Sequence, residues 1–256
     1  EIARKQTRQN IQVDLMIKQT SLADLEVLIL CGGLGTRLRS MLSDQPKGLA
    51  TIGNKTFLDV QVDELLDIGF QRFIFCVGHL KNKIIEHFQT REGGDFLFSE
   101  EDTPLGTGGA VKNAESLIKG DRFFILNGDS LCHLDFQAFY QNHLNQEALL
   151  SMVLSQSLNA EDYGNVTIDS SGKIQSFQEK ISQKGGGLIN GGIYLMEREG
   201  LSMMPSHFPF SLEHDVFPHF LKQKKCSGFV VKSDVLYIGT PERYQKINQL
   251  LNSSHS

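Results

Sequence analysis

The chain has 256 residues, 40% apolar and 21% charged, enough for one large α/β domain or two small ones with a sizeable core. Its formal charge of −5 argues against a surface that neutralises a nucleic-acid backbone, so phosphate binding has to be local. No apolar run approaches the ~18 residues of a membrane span and no signal peptide is visible. The four cysteines (Cys31, Cys76, Cys132, Cys226) are far apart without a C-x-x-C pair, which suits a reducing, cytoplasmic setting without structural zinc.

Residues 1–24 are polar and carry no strand pattern. They read as a flexible arm or the tail of an upstream segment, with the domain proper over 25–252. There is no initiator methionine, so a longer parent polypeptide is left open. The apolar run 27–31 ends in Gly32-Gly33-Leu34-Gly35-Thr36-Arg37 and reads as a buried parallel strand followed by a glycine turn. Such a turn aims backbone N–H groups at an anion, and Arg37 adds a donor fork suited to phosphate. Pro46-Lys47 brings a second cation on a segment whose direction the proline restricts. The pattern is neither G-x-G-x-x-G nor a Walker loop, which disfavours a NAD(P)-binding enzyme.

Further along, apolar spacing over 56–68 with Gly69 behind it predicts a helix, 72–77 a strand, 82–88 a helix and 95–98 a short strand. Residues 99–109 read as a loop, 110–118 as a helix and 122–126 as a third full strand ending in Asn127-Gly128-Asp129. Strands alternating with helices imply a parallel sheet whose ligands sit at the strands' carboxyl ends. Asp129 stands at that edge, where Mg²⁺ would be held by one or two carboxylates and substrate phosphates; an ordinary turn aspartate is the alternative. From 148 the character changes. A strand over 148–154, a hairpin over 165–168 and 173–177 around Asp169-Ser170-Ser171-Gly172, and a strand over 188–196 broken at Asn190-Gly191-Gly192 are expected. A helix near 213–221, short strands at 229–231 and 235–238, and a last helix over 240–250 with Thr240 as N-cap and Pro241 at its first position complete the chain. Glu179-Lys180 suits a phosphorylated sugar, or is a solvated pair.

Taken together, GGLGTRL, PKGL, PLGTGGA, NGD, FQEK, NGGIY and IGTPERY occur in the order seen in sugar-1-phosphate nucleotidyltransferases (NDP-sugar pyrophosphorylases). The chain resembles that family from about Val27 to Leu250. The wording of PLGTGGA, LNGD, FQEK and LINGGIYL is most similar to its bacterial D-glycero-α-D-manno-heptose 1-phosphate guanylyltransferases. The resemblance implies a Rossmann-like, GT-A-like nucleotidyltransferase fold of α/β class. Its mixed, mostly parallel central sheet would be flanked by helices, with a small β-rich sugar-binding part. A nucleotide-binding part would span about 25–147 and a sugar-phosphate-binding part about 148–252. The implied reaction is NTP plus sugar 1-phosphate to NDP-sugar plus pyrophosphate, with Mg²⁺. Carried over by motif, Gly32, Gly33, Gly35, Thr36 and Arg37 hold the triphosphate with Gly128 nearby, and Lys47 stabilises transition-state charge. Leu105 and Gly106 pack on the base, and Asp129 binds the metal. Gly164, Glu179, Lys180 and Asn190 bind the sugar phosphate.

Glu101, three residues before Pro104, bears on the base. A carboxylate accepts guanine's adjacent N1–H and N2–H₂ but faces the carbonyls of uracil and thymine badly, which favours GTP. Two departures from the family pattern stand out. Tyr237 occupies the place of a second metal-ligating aspartate, and Asp234, three residues earlier, is displaced along the strand and onto its other face. Gly48 follows Lys47 where proline or alanine is usual, which is expected to loosen the lysine segment. Mannose 1-phosphate is the alternative sugar. The alternative of another class is a catalytically weakened homologue that binds nucleotide or NDP-sugar and regulates a partner. An assembly of identical chains is left open.

Overall fold

The structure, a computed structural model, describes residues 21–42, 44–157, 164–178 and 186–253. Most of the arm read over 1–24, and both Glu179 and Lys180, therefore lie outside the described residues. The described strands are, in chain order, β1 (Glu26–Leu30), β2 (Thr51–Ile52), β3 (Lys55–Thr56), β4 (Arg72–Val77), β5 (Asp95–Glu100), β6 (Arg122–Asn127), β7 (Ser130–Leu131), β8 (Leu150–Ser157), β9 (Asn165–Ile168), β10 (Ile174–Gln178), β11 (Gly187–Glu197), β12 (Cys226–Val231) and β13 (Leu236–Tyr237).

Nine of them form one sheet in the order β10-β9-β11-β6-β1-β4-β5, with β8 on the other edge of β11 and β12 beyond β8. β1 lies parallel between β4 and β6, and β5 is parallel to β4. β11 runs antiparallel to β6, β8 and β9, so only β10 and β11 point against the rest. The sheet is mixed and mostly parallel, as expected.

Period-two alternation sorts the strand side chains into two cores. Val27, Ile29, Phe73, Phe75, Phe124 and Leu126 pack on one face against Leu58, Val62 and Leu65 of the helix Phe57–Ile68 and Phe136 and Phe139 of the helix Phe136–Gln146. Leu28, Ile74, Cys76, Phe123 and Ile125 pack on the other, against Val111 of the helix Gly106–Asn113 and Phe217 and Phe220 of the helix Phe217–Lys222. Covering both faces is why β1, β4 and β6 read as unbroken apolar runs. Helix Phe57–Ile68 starts at a capping box, Thr56 with Asp59, and ends at Gly69 in the left-handed region (φ 114°). The last helix, Pro241–Ser253, packs Ile247 with Ile238, Leu131, Ile52 and Phe57 in a third, smaller cluster.

Three readings are corrected. The helix expected over 110–118 begins at Gly106 and gives way to a 3₁₀ turn, Ala114–Ser116. Its glycines belong to the helix because Phe210 closes on them. The N–H groups of Gly108 and Gly109 both donate to the Phe210 carbonyl at 3.1 Å, and a Cβ on Gly106 would stand 2.4 Å from that oxygen. The helix Phe136–Gln146 was not anticipated, although Asp135 caps it and Phe136, Phe139 and Tyr140 have helical spacing; buried His143 interrupts the apolar face. The strand expected at 148–154 runs later, Leu150–Ser157.

Candidate active site

β1 and β6 are adjacent and parallel, so the loops after Leu30 and Asn127 meet at the same edge of the sheet. Because β11 runs the other way, its first half reaches that edge too. There the structure opens a cleft of about 400 Å³. Gly32, Gly33, Gly35, Thr36, Arg37, Lys47, Glu101, Gly106, Gly128 and Asp129 all line it, ten positions spread over nearly 100 residues of sequence. The glycine loop is open on one side: a Cβ on Gly33 would meet nothing within 4 Å, and Gly35 has φ 58°. That is the shape of a cradle for an anion rather than of a packed turn.

Cations gather on the same side. Lys47 Nζ lies 2.6 Å from Asp129 Oδ2, with the two side chains 14% and 29% exposed. The same ammonium stands 4.3 Å from the centre of the Tyr237 ring, and Arg37 donates from Nη2 to the Tyr237 hydroxyl at 3.1 Å. Lys47 sits on a 3₁₀ turn, Lys47–Leu49, entered through Pro46. Gly48 does not loosen this turn. It is buried, and a Cβ there would come 2.6 Å from Leu58 Cδ1, so its absence lets the turn seat on the helix behind it. Asp129 is fixed from the backbone, where its carbonyl accepts from Ile238 N–H at 3.0 Å and the following Ser130 pairs with Tyr237 across β7 and β13. Tyr237 therefore points into the site, while Asp234 is exposed and is not among the residues lining the cleft.

Glu101, at the end of β5, forms part of the cleft's floor. Its Oε1 occupies space left by two glycines: a Cβ on Gly32 or Gly78 would stand 2.6 or 2.4 Å from it. Oε2 accepts from Leu105 N–H at 3.2 Å. Burial raises the carboxyl above the ordinary glutamate value, and the Leu105 hydrogen bond only partly offsets this. A half-buried carboxylate with no cation against it among the described residues costs stability, so its presence calls for a functional reason.

Leu105 contributes its backbone to Glu101 and does not itself line the cleft. Gly164 and Asn190 sit together, with Asn190 N–H donating to the Gly164 carbonyl at 2.9 Å, and neither is among the residues lining the cleft. Asn190 is engaged within its own strand, accepting from Gly192 N–H at 2.9 Å and donating to Tyr194 Oη at 2.6 Å, so it shapes the Gly191-Gly192 bend. Thr107 and Glu213 also line the cleft and escaped the sequence reading. Glu213 Oε2 accepts from Thr107 Oγ1 at 2.6 Å and from Ser211 Oγ at 2.7 Å. Thr107 lies within PLGTGGA, but nothing local points from it to Glu213, 106 positions away. Gly78, which makes room for Glu101, was equally silent.

All four thiols are unpaired, and three of them are buried, with burial as the main cause pushing Cys76 and Cys226 up to about 12 and Cys132 up to about 11. They are inert packing groups. No group of three or more His, Cys, Asp and Glu side chains is assembled to hold a metal among the described residues. None of the described helices is long and apolar enough to cross a membrane.

The chain is 34% identical to a D-glycero-alpha-D-manno-heptose 1-phosphate guanylyltransferase of Campylobacter jejuni, over 86% of this chain and 97% of that one. It is also 34% identical to the protein of the same name from Aneurinibacillus thermoaerophilus, over 89% and 98%. The crystal structure of HddC from Yersinia pseudotuberculosis complexed with GMP-PN superposes with a TM-score of 0.78 at 34% identity, covering 88% of this chain and 99% of that one. The family model described as nucleotidyl transferase matches residues 26–254. With that match spanning the sheet, the glycine cradle and the cation cluster, the chain belongs to the nucleotidyl transferase family.

Proposed function

We propose that this protein transfers GMP from GTP to a sugar 1-phosphate, D-glycero-α-D-manno-heptose 1-phosphate in the first instance, releasing pyrophosphate. The product would feed synthesis of a cell-surface polysaccharide such as lipopolysaccharide or capsule, from the cytoplasm. The observation that carries the reading is the cleft itself: a glycine cradle with Arg37 and Lys47 at one end and the half-buried carboxylate of Glu101 on its floor. Similarity to the two heptose 1-phosphate guanylyltransferases supports the choice of base and sugar.

The chemistry asks little of the protein beyond placement. The attacking sugar-phosphate oxygen is already an anion, so no general base is needed; Cys31 and Cys76 line the cleft, but no histidine among its described lining residues stands beside them to form a Cys/His pair. Gly32, Gly33, Gly35 and Thr36 would hold the triphosphate through backbone N–H groups. Arg37 and Lys47 would neutralise charge that builds on the transferring and leaving phosphates, the strongest means of acceleration open to a site of this kind. Glu101 would accept from guanine N1–H and N2–H₂. Mg²⁺ suits a donor set of one carboxylate plus substrate phosphate oxygens. Asp129 is the residue that would hold it, once Lys47 has turned to the phosphates. When bound, the ion would supply further charge neutralisation. Gly164 and Asn190, with Glu179 and Lys180, remain the proposed sugar-phosphate side.

A matrix of four NTPs against heptose, mannose and glucose 1-phosphates, read by pyrophosphate release, tests the proposal. GTP with the heptose phosphate is expected to be the best pair. The Tyr237 phenol, standing among the cations, favours one second reading, a weakened homologue that binds nucleotide without turning it over. Nucleotide binding with no pyrophosphate release for any pair selects that reading.

A further inference from the structure

Arg37 is exposed and springs from a glycine-rich turn. An arginine so placed loses rotamer freedom when it grips a ligand. In this structure the Tyr237 hydroxyl, accepting at 3.1 Å, orders it beforehand. The ring of the same tyrosine lies 4.3 Å from Lys47 Nζ and 5.6 Å from the Arg243 guanidinium, both within cation–π range. One side chain thus touches three cations, two from the segment between β1 and β2 and one from the last helix.

Tyr237 is itself held firmly. Its backbone is paired to Ser130 in β7, and the next residue's N–H is bonded to the Asp129 carbonyl. The ring folds back over Gly239, where a Cβ would stand 1.9 Å from Tyr237 Cε1 and Cζ, so only glycine at 239 permits this pose. A tyrosine fixed by strand pairing and a glycine, facing a cleft and engaging two of its cations, is more than space filling.

We propose that Tyr237 is a positioning residue for the triphosphate: its hydroxyl orients Arg37 and its ring orients Lys47 before nucleotide arrives. This deepens the proposed function and rests on it. The consequence is specific. Removing the hydroxyl should act through Arg37 and on the nucleotide, not on the sugar phosphate and not on folding.

The test is a double-mutant cycle, with binding of a non-hydrolysable GTP analogue measured by calorimetry in EDTA so that metal does not enter the readout. Tyr237→Phe is expected to weaken binding about three- to tenfold in the wild-type background and less than about twofold on Arg37→Ala, the scale of one ordinary hydrogen bond at an exposed site. Tyr237→Leu, which also removes the ring, should cost about threefold more. In turnover, Tyr237→Phe should raise the KM for GTP and leave the KM for sugar 1-phosphate unchanged, with its melting temperature at the wild-type value. Equal losses on both Arg37 backgrounds, a lowered melting temperature with unchanged nucleotide affinity, or full affinity in Tyr237→Phe each overturn the proposal while leaving the guanylyltransferase reading in place. Failure of the wild-type protein to bind the analogue both in EDTA and with Mg²⁺ added overturns both.

Discussion

Glu101→Gln keeps the shape of the cleft floor and removes its charge. Guanine presents two neighbouring donors to that floor, and a carboxylate accepts both. Glutamine accepts one and turns its own N–H₂ toward the other, so one charge-assisted bond is lost and two donors are opposed. With such bonds at about 1.5–3 kcal/mol, the change should cost about 3 kcal/mol, or roughly 10²-fold in kcat/KM for GTP. ATP, UTP and CTP have no matching pair of donors and should change little. The fold should not suffer. Burial holds the Glu101 carboxyl above its ordinary value, so between the unfolded and folded pKa the native state keeps a proton that the unfolded chain has released. Stability therefore falls as pH rises through that window, and above it the charge is a net cost. At pH 7 the variant should be as stable as the wild type or more so. For GTP, kcat/KM should fall on the acid side as Glu101 protonates, with a limb above the ordinary glutamate range that the variant lacks. Initial rates of pyrophosphate release with each NTP, across pH, measure all of this. A GTP-to-ATP ratio of kcat/KM within about threefold of wild type would refute the reasoning, because an interaction of this size cannot vanish unseen.

Arg37→Ala and Lys47→Ala should each lower turnover by at least ~10²-fold, since each removes a preorganised charge; circular dichroism should show the fold intact, and near-normal rates in both would sink the polyphosphate assignment. Asp129→Asn should abolish turnover in the pyrophosphate assay. It should move stability by no more than about 1 kcal/mol in a urea titration, because its ion pair with Lys47 is partly solvent-exposed. Calorimetry of Mg²⁺ against nucleotide-free protein should show no binding, since Lys47 occupies the Asp129 carboxylate, and binding should appear once GTP analogue is present. Gly106→Ala should cost about 1–3 kcal/mol in thermal unfolding, because its φ is 76° and its Cβ would meet the Phe210 carbonyl at 2.4 Å.

The parts legible in the sequence were those where one local pattern answers to one local cause. Unbroken apolar runs marked β1, β4 and β6 because both sheet faces are covered, and Gly69 and Thr240 marked helix ends through caps. The glycine cradle and Lys47 followed from backbone and charge chemistry, and the resemblance joined them to Asp129. What stayed hidden depends on partners far along the chain. Gly106 looked like loop because the Phe210 carbonyl that satisfies the helix's first turn lies over 100 residues away. Thr107 and Glu213 meet only through the fold. Tyr237 stood out as a departure, but that it engages both Arg37 and Lys47 is a fact of three-dimensional placement. The bonds by which Asn190 shapes the bend of its own strand, to Gly192 N–H and Tyr194 Oη, were likewise not legible.

That bend has a consequence for how the molecule comes apart. β11 is hydrogen-bonded to β8 along both halves, but on its other edge it changes neighbour, from β9 before Gly191-Gly192 to β6 after it. A single run of backbone thus belongs at once to the part beside Gly164 and to the part beside Asp129. Melting either part means stripping the same strand. The two should lose structure in one cooperative transition, with calorimetric and van't Hoff enthalpies in agreement and amide exchange in β6, β8 and β11 governed by global unfolding alone.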